Sequence, residues 1–308
     1  GQDAAGRIAD TYGVAQRYWC GSEESTADLA EDAARAAIAA AGIEPRDVGL
    51  LVVATDTPEH ITPPTASVVH GRLELGDALA LDISAGGADF IAALDFATKT
   101  VRADARVAHA VVVGVSAMSK YLDVHDARTV PVYGDGAGAV VLSAGSADGV
   151  LAAACRTMGQ YSHDVGVFAG GTRTPITHVV LDAALQNRLR QLREFPDALP
   201  EAWASLVRST TAQAGVDIAA VAQWRWAHPS RRALMETASL LGDPDVLDAS
   251  LNALRNTGYT GAAALPLALD DAARTKQFDD GDLVLVTAAG VGVSVGVAVL
   301  RWTAGASS

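Results

Sequence analysis

The run Val48-Gly49-Leu50-Leu51-Val52-Val53-Ala54 is apolar at every position, with no alternation that would leave one face wet. An unbroken run of strand length points to a strand covered by helices on both faces, the habit of parallel sheets. Upstream, Ser25-Thr26-Ala27-Asp28 has the side chains of a helix start, and the alanine-rich stretch through Ala41 stops at Gly42. Downstream, Thr62-Pro63-Pro64-Thr65 opens a second helix ending near Leu75-Gly76. A strand over Leu79 to Ile83, a helix over Gly87 to Arg102 and strands over Val107 to Val115 and Ala137 to Ser143 follow. This alternation predicts an α/β chain with helices layered on a mostly parallel sheet.

The second half repeats the theme. Strands are expected over Val150 to Arg156 and Val221 to Ala227, and helices over Pro200 to Gln213, Arg231 to Leu241 and Ala262 to Thr275. Leu283 to Ala288 and Ser294 to Trp302 close the chain as a strand pair around Gly290-Val291-Gly292. No Pro/Ser-rich or like-charged run separates the halves, so residues 1–148 and 149–308 are expected to fuse into one body. The segment Gly159 to Leu199 is the least regular, and a loop of that length is expected to cover a pocket.

Half of the 308 residues are hydrophobic, enough to bury a large core. The formal charge of −13, with no Lys/Arg-rich segment to counter it, disfavours nucleic acid and anionic membrane as partners. No apolar run reaches the ~18 to 20 residues that span a bilayer, and Gly1 to Asp10 lacks a signal-peptide core. A cytoplasmic protein is expected. Cys20 and Cys155 form no CxxC pair, so a disulfide framework or thiolate metal site is not expected.

The most specific motif is Tyr133-Gly134-Asp135-Gly136-Ala137-Gly138-Ala139-Val140-Val141-Leu142. Its glycines allow close backbone approach. It is not a Walker loop, since it lacks Lys-Ser/Thr and precedes a strand. Together with Leu51 to Thr57, Pro64-Thr65-Ala66, Asp82 to Gly87, Trp224 to His228, Gly258 to Pro266 and Gly290 to Gly292, this motif resembles ketoacyl synthase III, a condensing-enzyme family of the thiolase superfamily. The match runs in order along nearly the whole chain apart from 159–199. The resemblance implies a thiolase-like fold: two pseudo-duplicated halves in a five-layered αβαβα arrangement. It also implies a strand ahead of Arg7 to Gly13 that this sequence does not supply.

In that family a cysteine at a helix N-terminus takes an acyl group from a thioester, and histidine and asparagine hold the second thioester. The resemblance places Gly87 at the cysteine position, where there is no side chain to acylate. His228 matches the histidine, Tyr259 stands where the asparagine is usual, and Asn256 is a candidate for a displaced amide. Val291 falls at the oxyanion-hole glycine, where only a backbone N–H is needed. Ser84 is expected to point away from the elbow, and Asp89 to complement the helix dipole.

Arg7, Arg128 and Arg231, with Arg232, are candidates to meet a phosphopantetheine arm or an acidic carrier protein; they read equally well as solvated arginines. Coenzyme A or phosphopantetheine thioesters are expected as substrate carriers, with no tightly bound cofactor and no metal. Acyl-CoA or acyl-carrier protein is the expected partner, and the chain is expected to form a homodimer or pair with a paralogue.

The function implied is an acyltransferase of polyketide or related specialised metabolism that binds acyl thioesters without a cysteine nucleophile. Two alternatives stand beside it. One is a non-catalytic subunit of an active paralogue. The other is an ordinary condensing or priming enzyme whose nucleophile at position 87 was substituted or modified.

Overall fold

A computed structural model describes residues 12–145 and 149–303. Helix α1 (Thr26–Ala40) begins where Ser25 accepts a hydrogen bond from the Asp28 N–H while the Asp28 carboxylate accepts one from the Ser25 N–H, a reciprocal cap of about 1 kcal/mol. Its buried stripe is Ala27, Ala30, Ala34 and Ile38, and the small alanines let it lie close to the sheet below. That sheet holds β1 (Val48–Ala54), β2 (Leu79–Ile83), β3 (His109–Ser116) and β4 (Gly136–Ser143) in the order β2-β1-β3-β4. β1 runs parallel to both neighbours, with Leu51 opposite Ala80 and Val111; β4 is antiparallel to β3.

The apolar run in β1 serves two cores. Val48, Leu51 and Val53 pack toward α1 and α2 (Thr65–Leu73), whereas Leu50, Val52 and Ala54 pack toward α3 (Asp89–Ala103). β5 (Val150–Thr157) opens the second half, followed by a small ribbon of β6 (Val165–Val167) and β7 (Leu189–Gln191) that carries α4 (His178–Asp182) between its strands. Then come α5 (Leu199–Gln213), β8 (Gln223–Ala227), α6 (Arg231–Leu241), α7 (Asp248–Thr257), α8 (Ala264–Arg274), β9 (Leu283–Gly290) and β10 (Ser294–Arg301). The second sheet has the order β5-β10-β9-β8, with β9 and β10 a hairpin whose register pairs Gly290 with Ser294.

Helices α3 and α8 lie between the sheets, touching strands of both; α1 and α2 cover the first sheet outside, and α5, backed by α6, covers the second. This is the five-layered αβαβα arrangement. One core joins Val52, Ile91, Trp226 and Val295 across the middle, so the two halves share it. Among the described residues, no helix is long and apolar enough to cross a membrane.

Several boundaries differ from the expectation. The helix expected from Gly87 starts at Asp89, because Gly86 and Gly87 adopt φ of 56° and 88° and turn the chain first. The strand expected from Val221 starts at Gln223, after a 3-10 turn over Ile218–Ala220. The helix expected from Ala262 follows another such turn at Gly261–Ala263. α7 was not expected at all: only Ser250 and Leu254 are buried along it, too sparse an apolar stripe to read. Residues 1–11, ahead of or beside which the resemblance implies a further strand, lie outside the described residues.

Candidate active site

The elbow between β2 and α3 is built from backbone. Asp89 is fully buried, and its carboxylate accepts from the Ala85 N–H and, at 2.7 Å, from the Gly87 N–H. The dipole-complementing role expected for Asp89 is therefore incomplete, because the same carboxylate also fixes the turn. The Gly87 N–H is engaged by that bond and does not point to a ligand.

A β-carbon added to Gly87 would lie 2.5 Å from the Gly290 nitrogen and 2.8 Å from the Ala289 carbonyl carbon, and nearer still to the Gly290 Cα. At Gly86 it would meet the Val291 carbonyl oxygen. The space beside Gly87 is thus filled by the main chain of the β9–β10 turn, and the positive φ of Gly87 adds strain for any side chain. Ser84 does not point idly away: its Oγ donates to Asp56 Oδ1 at 2.9 Å.

A cavity of about 230 Å³ opens beside this crossing. Gly87, Gly290 and Val291 form one wall, Asp56, Ser116, Tyr133 and Tyr259 supply its polar groups, and Gly166, Val167, Leu189 and Phe195 cover it. The irregular segment 159–199 does cover a pocket, through β6, β7 and the loop after them. Tyr259 reaches the cavity because the halves are sewn together there: its N–H donates to the Val132 carbonyl at 2.8 Å, and Gly134 N–H donates to the Tyr259 carbonyl at 3.0 Å. A β-carbon at Gly134 would strike the Thr257 carbonyl oxygen, so the glycine motif serves this close backbone approach. The Tyr133 and Tyr259 rings meet edge to face at 5.5 Å. Both residues are more than nine-tenths buried, and neither hydroxyl has a protein partner among the described residues. Burial pushes both phenols up, with Asp56 nearby adding to it.

Asp56 lies within the Leu51 to Thr57 segment, but the sequence does not single it out as a site residue. Half-buried just past the end of β1, it sits at the carboxyl edge of a parallel sheet, the place where such sheets gather ligands. Burial, then the negative charge of Asp89, raises its carboxyl well above the usual range.

His228 lies at the end of β8, 1% exposed, but does not line the cavity. Phe195 packs edge-on against its ring at 4.5 Å and itself faces the cavity; Trp203 lies behind at 5.6 Å. Nδ1 accepts from the Ser230 N–H at 2.9 Å, which leaves the proton on Nε2, and Nε2 has no partner. Burial lowers the imidazole pKa to about 4. His228 is therefore neutral, with the ring of Phe195, a cavity-lining residue, packed against it.

The remaining candidates are scattered. Asn256 is exposed on α7, its amide directed to Asn252 at 3.4 Å, so it is not a displaced site amide. Arg128 is exposed and lines a separate polar depression with Asp123, His125, Asp126 and Arg190. Arg231 is exposed at the start of α6, near Gly13, while Arg232 pairs with Asp197 and Glu236. Arg7 lies outside the described residues. Neither cysteine lines the cavity. Cys20 is half-buried, its thiol pushed up by burial and by Asp135; Cys155 lies exposed on β5.

Residues 81–159 match the family described as 3-oxoacyl-[acyl-carrier-protein] synthase III, and residues 211–302 match its C-terminal part. The chain is 34% identical over 298 residues to a beta-ketoacyl-[acyl-carrier-protein] synthase III of Rhizorhabdus wittichii, spanning 96% of this chain and 90% of that protein. It is 34% identical over 294 residues to the acetoacetyl CoA synthase NphT7 of Streptomyces sp. strain CL190, covering 94% and 88%. Among solved structures, 3-oxoacyl-[acyl-carrier-protein] synthase III from Aquifex aeolicus superposes with a TM-score of 0.83 at 26% identity, over 97% and 91% of the two chains. The priming β-ketosynthase of the R1128 polyketide pathway shares the fold, with a TM-score of 0.85 at 23% identity over 96% and 87%.

Proposed function

This chain belongs to the 3-oxoacyl-[acyl-carrier-protein] synthase III family and is an acyltransferase of that type, and from this premise we propose that it transfers an acyl group from a thioester directly to an acceptor, with no acyl-cysteine intermediate. One observation carries the reading: at Gly87 the space for a nucleophile's β-carbon is occupied by the Gly290 main chain. The Gly87 N–H bound to Asp89 supports it further, since neither a thiolate nor an oxyanion could use that donor. The thioester is acyl-CoA or acyl-carrier protein, the carriers named for the two 34% identical relatives. Specialised metabolism is the natural setting, because condensation in the ordinary manner needs the cysteine that is missing. A cavity of about 230 Å³ suits a short acyl group.

The test is to incubate the protein with acetyl-CoA or malonyl-CoA and with holo-acyl-carrier protein or small thiol, alcohol and amine acceptors. Intact mass, carbon dioxide and free coenzyme A are then followed. The expected result is coenzyme A release that depends on an acceptor, with unchanged protein mass. A stable mass gain of one acyl group would overturn the reading.

A second reading draws on the open edge of the first sheet. Among the described residues β2 is an edge strand, and Leu79 upon it is 56% exposed. Such an edge is a surface for pairing with a second copy or with a paralogue. Complete inertness toward thioesters, together with tight binding to a cysteine-bearing paralogue, would favour a subunit role over catalysis.

A further inference from the structure

The Gly87 wall removes the family's reactive thiol, and Phe195 removes its histidine, yet the cavity is not chemically blank. Three groups lining it can exchange a proton: Asp56, Tyr133 and Tyr259. The two phenols are held too weakly acidic to give up a proton near neutral pH. Ser116 needs a base to act, and none of the cavity's other lining residues is titratable.

Asp56 is different in kind. The groups facing it are Ser84 from the elbow, Asp89 from α3, Tyr133 ahead of β4 and Tyr259 ahead of α8, all neutral or negative. The Asp89 carboxyl accepts from two backbone N–H groups, those of Ala85 and Gly87, and is thereby tied to the elbow. Asp56 accepts from the Ser84 hydroxyl and the Gly86 N–H, but burial and then the neighbouring Asp89 carboxyl outweigh them and favour its protonated form. The unpartnered Tyr133 and Tyr259 hydroxyls, each on a residue more than nine-tenths buried, face the same space and mark it as built for a polar ligand.

We propose that Asp56 is the catalytic acid and base of this cavity, with Asp89 as its positioning residue and the Tyr133 and Tyr259 hydroxyls flanking the bound thioester carbonyl. This rests on the direct-transfer reading above. The step balances without a further reagent. As the acceptor's oxygen, nitrogen or sulfur bonds to the thioester carbon, the C=O π pair moves onto the carbonyl oxygen, which takes the Asp56 proton. The acceptor's own proton then passes to the Asp56 carboxylate. When the carbonyl reforms, the C–S bond breaks and the proton on the oxygen leaves with the thiolate as thiol. Asp56 ends protonated, as it began.

The test uses the full chain, acetyl-CoA labelled with ¹³C at the carbonyl, and pantetheine as acceptor. Isotope-edited infrared spectroscopy reads the bound thioester carbonyl, and acetyl-pantetheine formation reads transfer. In the wild type the carbonyl stretch should fall on binding, and Asp56→Asn should return it toward the free value. The same variant should lower kcat by about 100-fold or more, the scale of a lost acid-base group. Asp56→Glu should restore part of the transfer with a displaced pH profile, a result that a purely structural Asp56 would not give. Thermal unfolding establishes that each variant is folded; if Asp56→Asn is not, Asp56→Glu and its pH profile decide.

A folded Asp56→Asn that keeps transfer within threefold overturns the assignment while leaving direct transfer standing. A carbonyl shift that depends on Asp56 without any transfer supports the assignment as a thioester-polarising group and sinks the transfer reading instead.

Discussion

The elbow at Gly87 and the strand end at His228 come from opposite halves of the chain and approach the same cavity, but they have diverged in opposite ways. At the elbow there is no side chain, and the main chain of Gly290 fills the space beside it. At the strand end the side chain is kept and its access is gone, because Phe195 lies across it. Backbone filling is hard to reverse, since a strand pair must shift. An aromatic screen turns on one side chain's rotamer. The difference teaches that a position can be closed off by unlike routes, one written in the sequence and one visible only in packing.

The sharpest way to break the comparison is Gly87→Cys. A side chain there needs a φ near 88° and collides with Gly290 and Ala289. Strain of about 1–3 kcal/mol and overpacking of about 1–3 kcal/mol together give a loss of roughly 2–6 kcal/mol. Urea unfolding should show it, and acetyl-CoA should leave no adduct on the variant. A variant as stable as wild type that acquires an acetyl group would mean the elbow retains room for a nucleophile, and would revive the reading that position 87 was substituted.

His228 offers the next largest effect, through pH. Its folded pKa of about 4 lies below the ordinary 6.5 because burial disfavours the charged ring. Above pH 6.5 neither state binds the proton and stability is unaffected. Below it the unfolded chain binds the proton and the folded chain does not, so stability is lost as pH falls from 6.5 toward 4. The full loss is roughly 3 kcal/mol. Urea midpoints at pH 7.5 and pH 4.5 should fall further apart for wild type than for His228→Gln. Equal separations would place the ring in contact with solvent, undoing the contrast with the elbow.

A smaller effect probes the wall behind that histidine. Trp203 Nε1 donates to Thr287 Oγ1 at 2.6 Å, and Thr287 donates in turn to the Gly296 carbonyl at 2.8 Å. Thr287→Val strands a buried indole N–H at nearly constant volume, for a cost of about 1–3 kcal/mol. Denaturation measures the loss, and the His228 NMR resonances should move as Trp203 loosens.

Much of the fold is legible in the sequence. β1 is readable because burial on both faces leaves an apolar run, α1 because its cap is local, and the family because glycines at 134 and 138 are demanded by close backbone contact. The site is less so. That Asp89 takes the Gly87 N–H depends on a turn of two positive-φ glycines, and that Phe195 screens His228 depends on where an irregular segment lands. Asp56 is noticeable as a carboxylate directly after a parallel strand; its coupling to Asp89, far along the chain, is not.

Tyr259→Phe has the smallest expected effect on stability and the most selective one on function. The ring keeps its edge-to-face contact with Tyr133, and the hydroxyl removed has no protein partner among the described residues. Denaturation should therefore change by less than about 1 kcal/mol, the worth of a bond that is not being made. If the hydroxyl instead meets a thioester carbonyl, transfer should fall by about 100-fold, the lower end for loss of a transition-state donor. Read as kcat and KM separately, a fall confined to kcat places the phenol on the reacting carbonyl, while a rise in KM alone makes it a wall. A variant more active than wild type would show that the tyrosine chiefly blocks the space where the family keeps its amide.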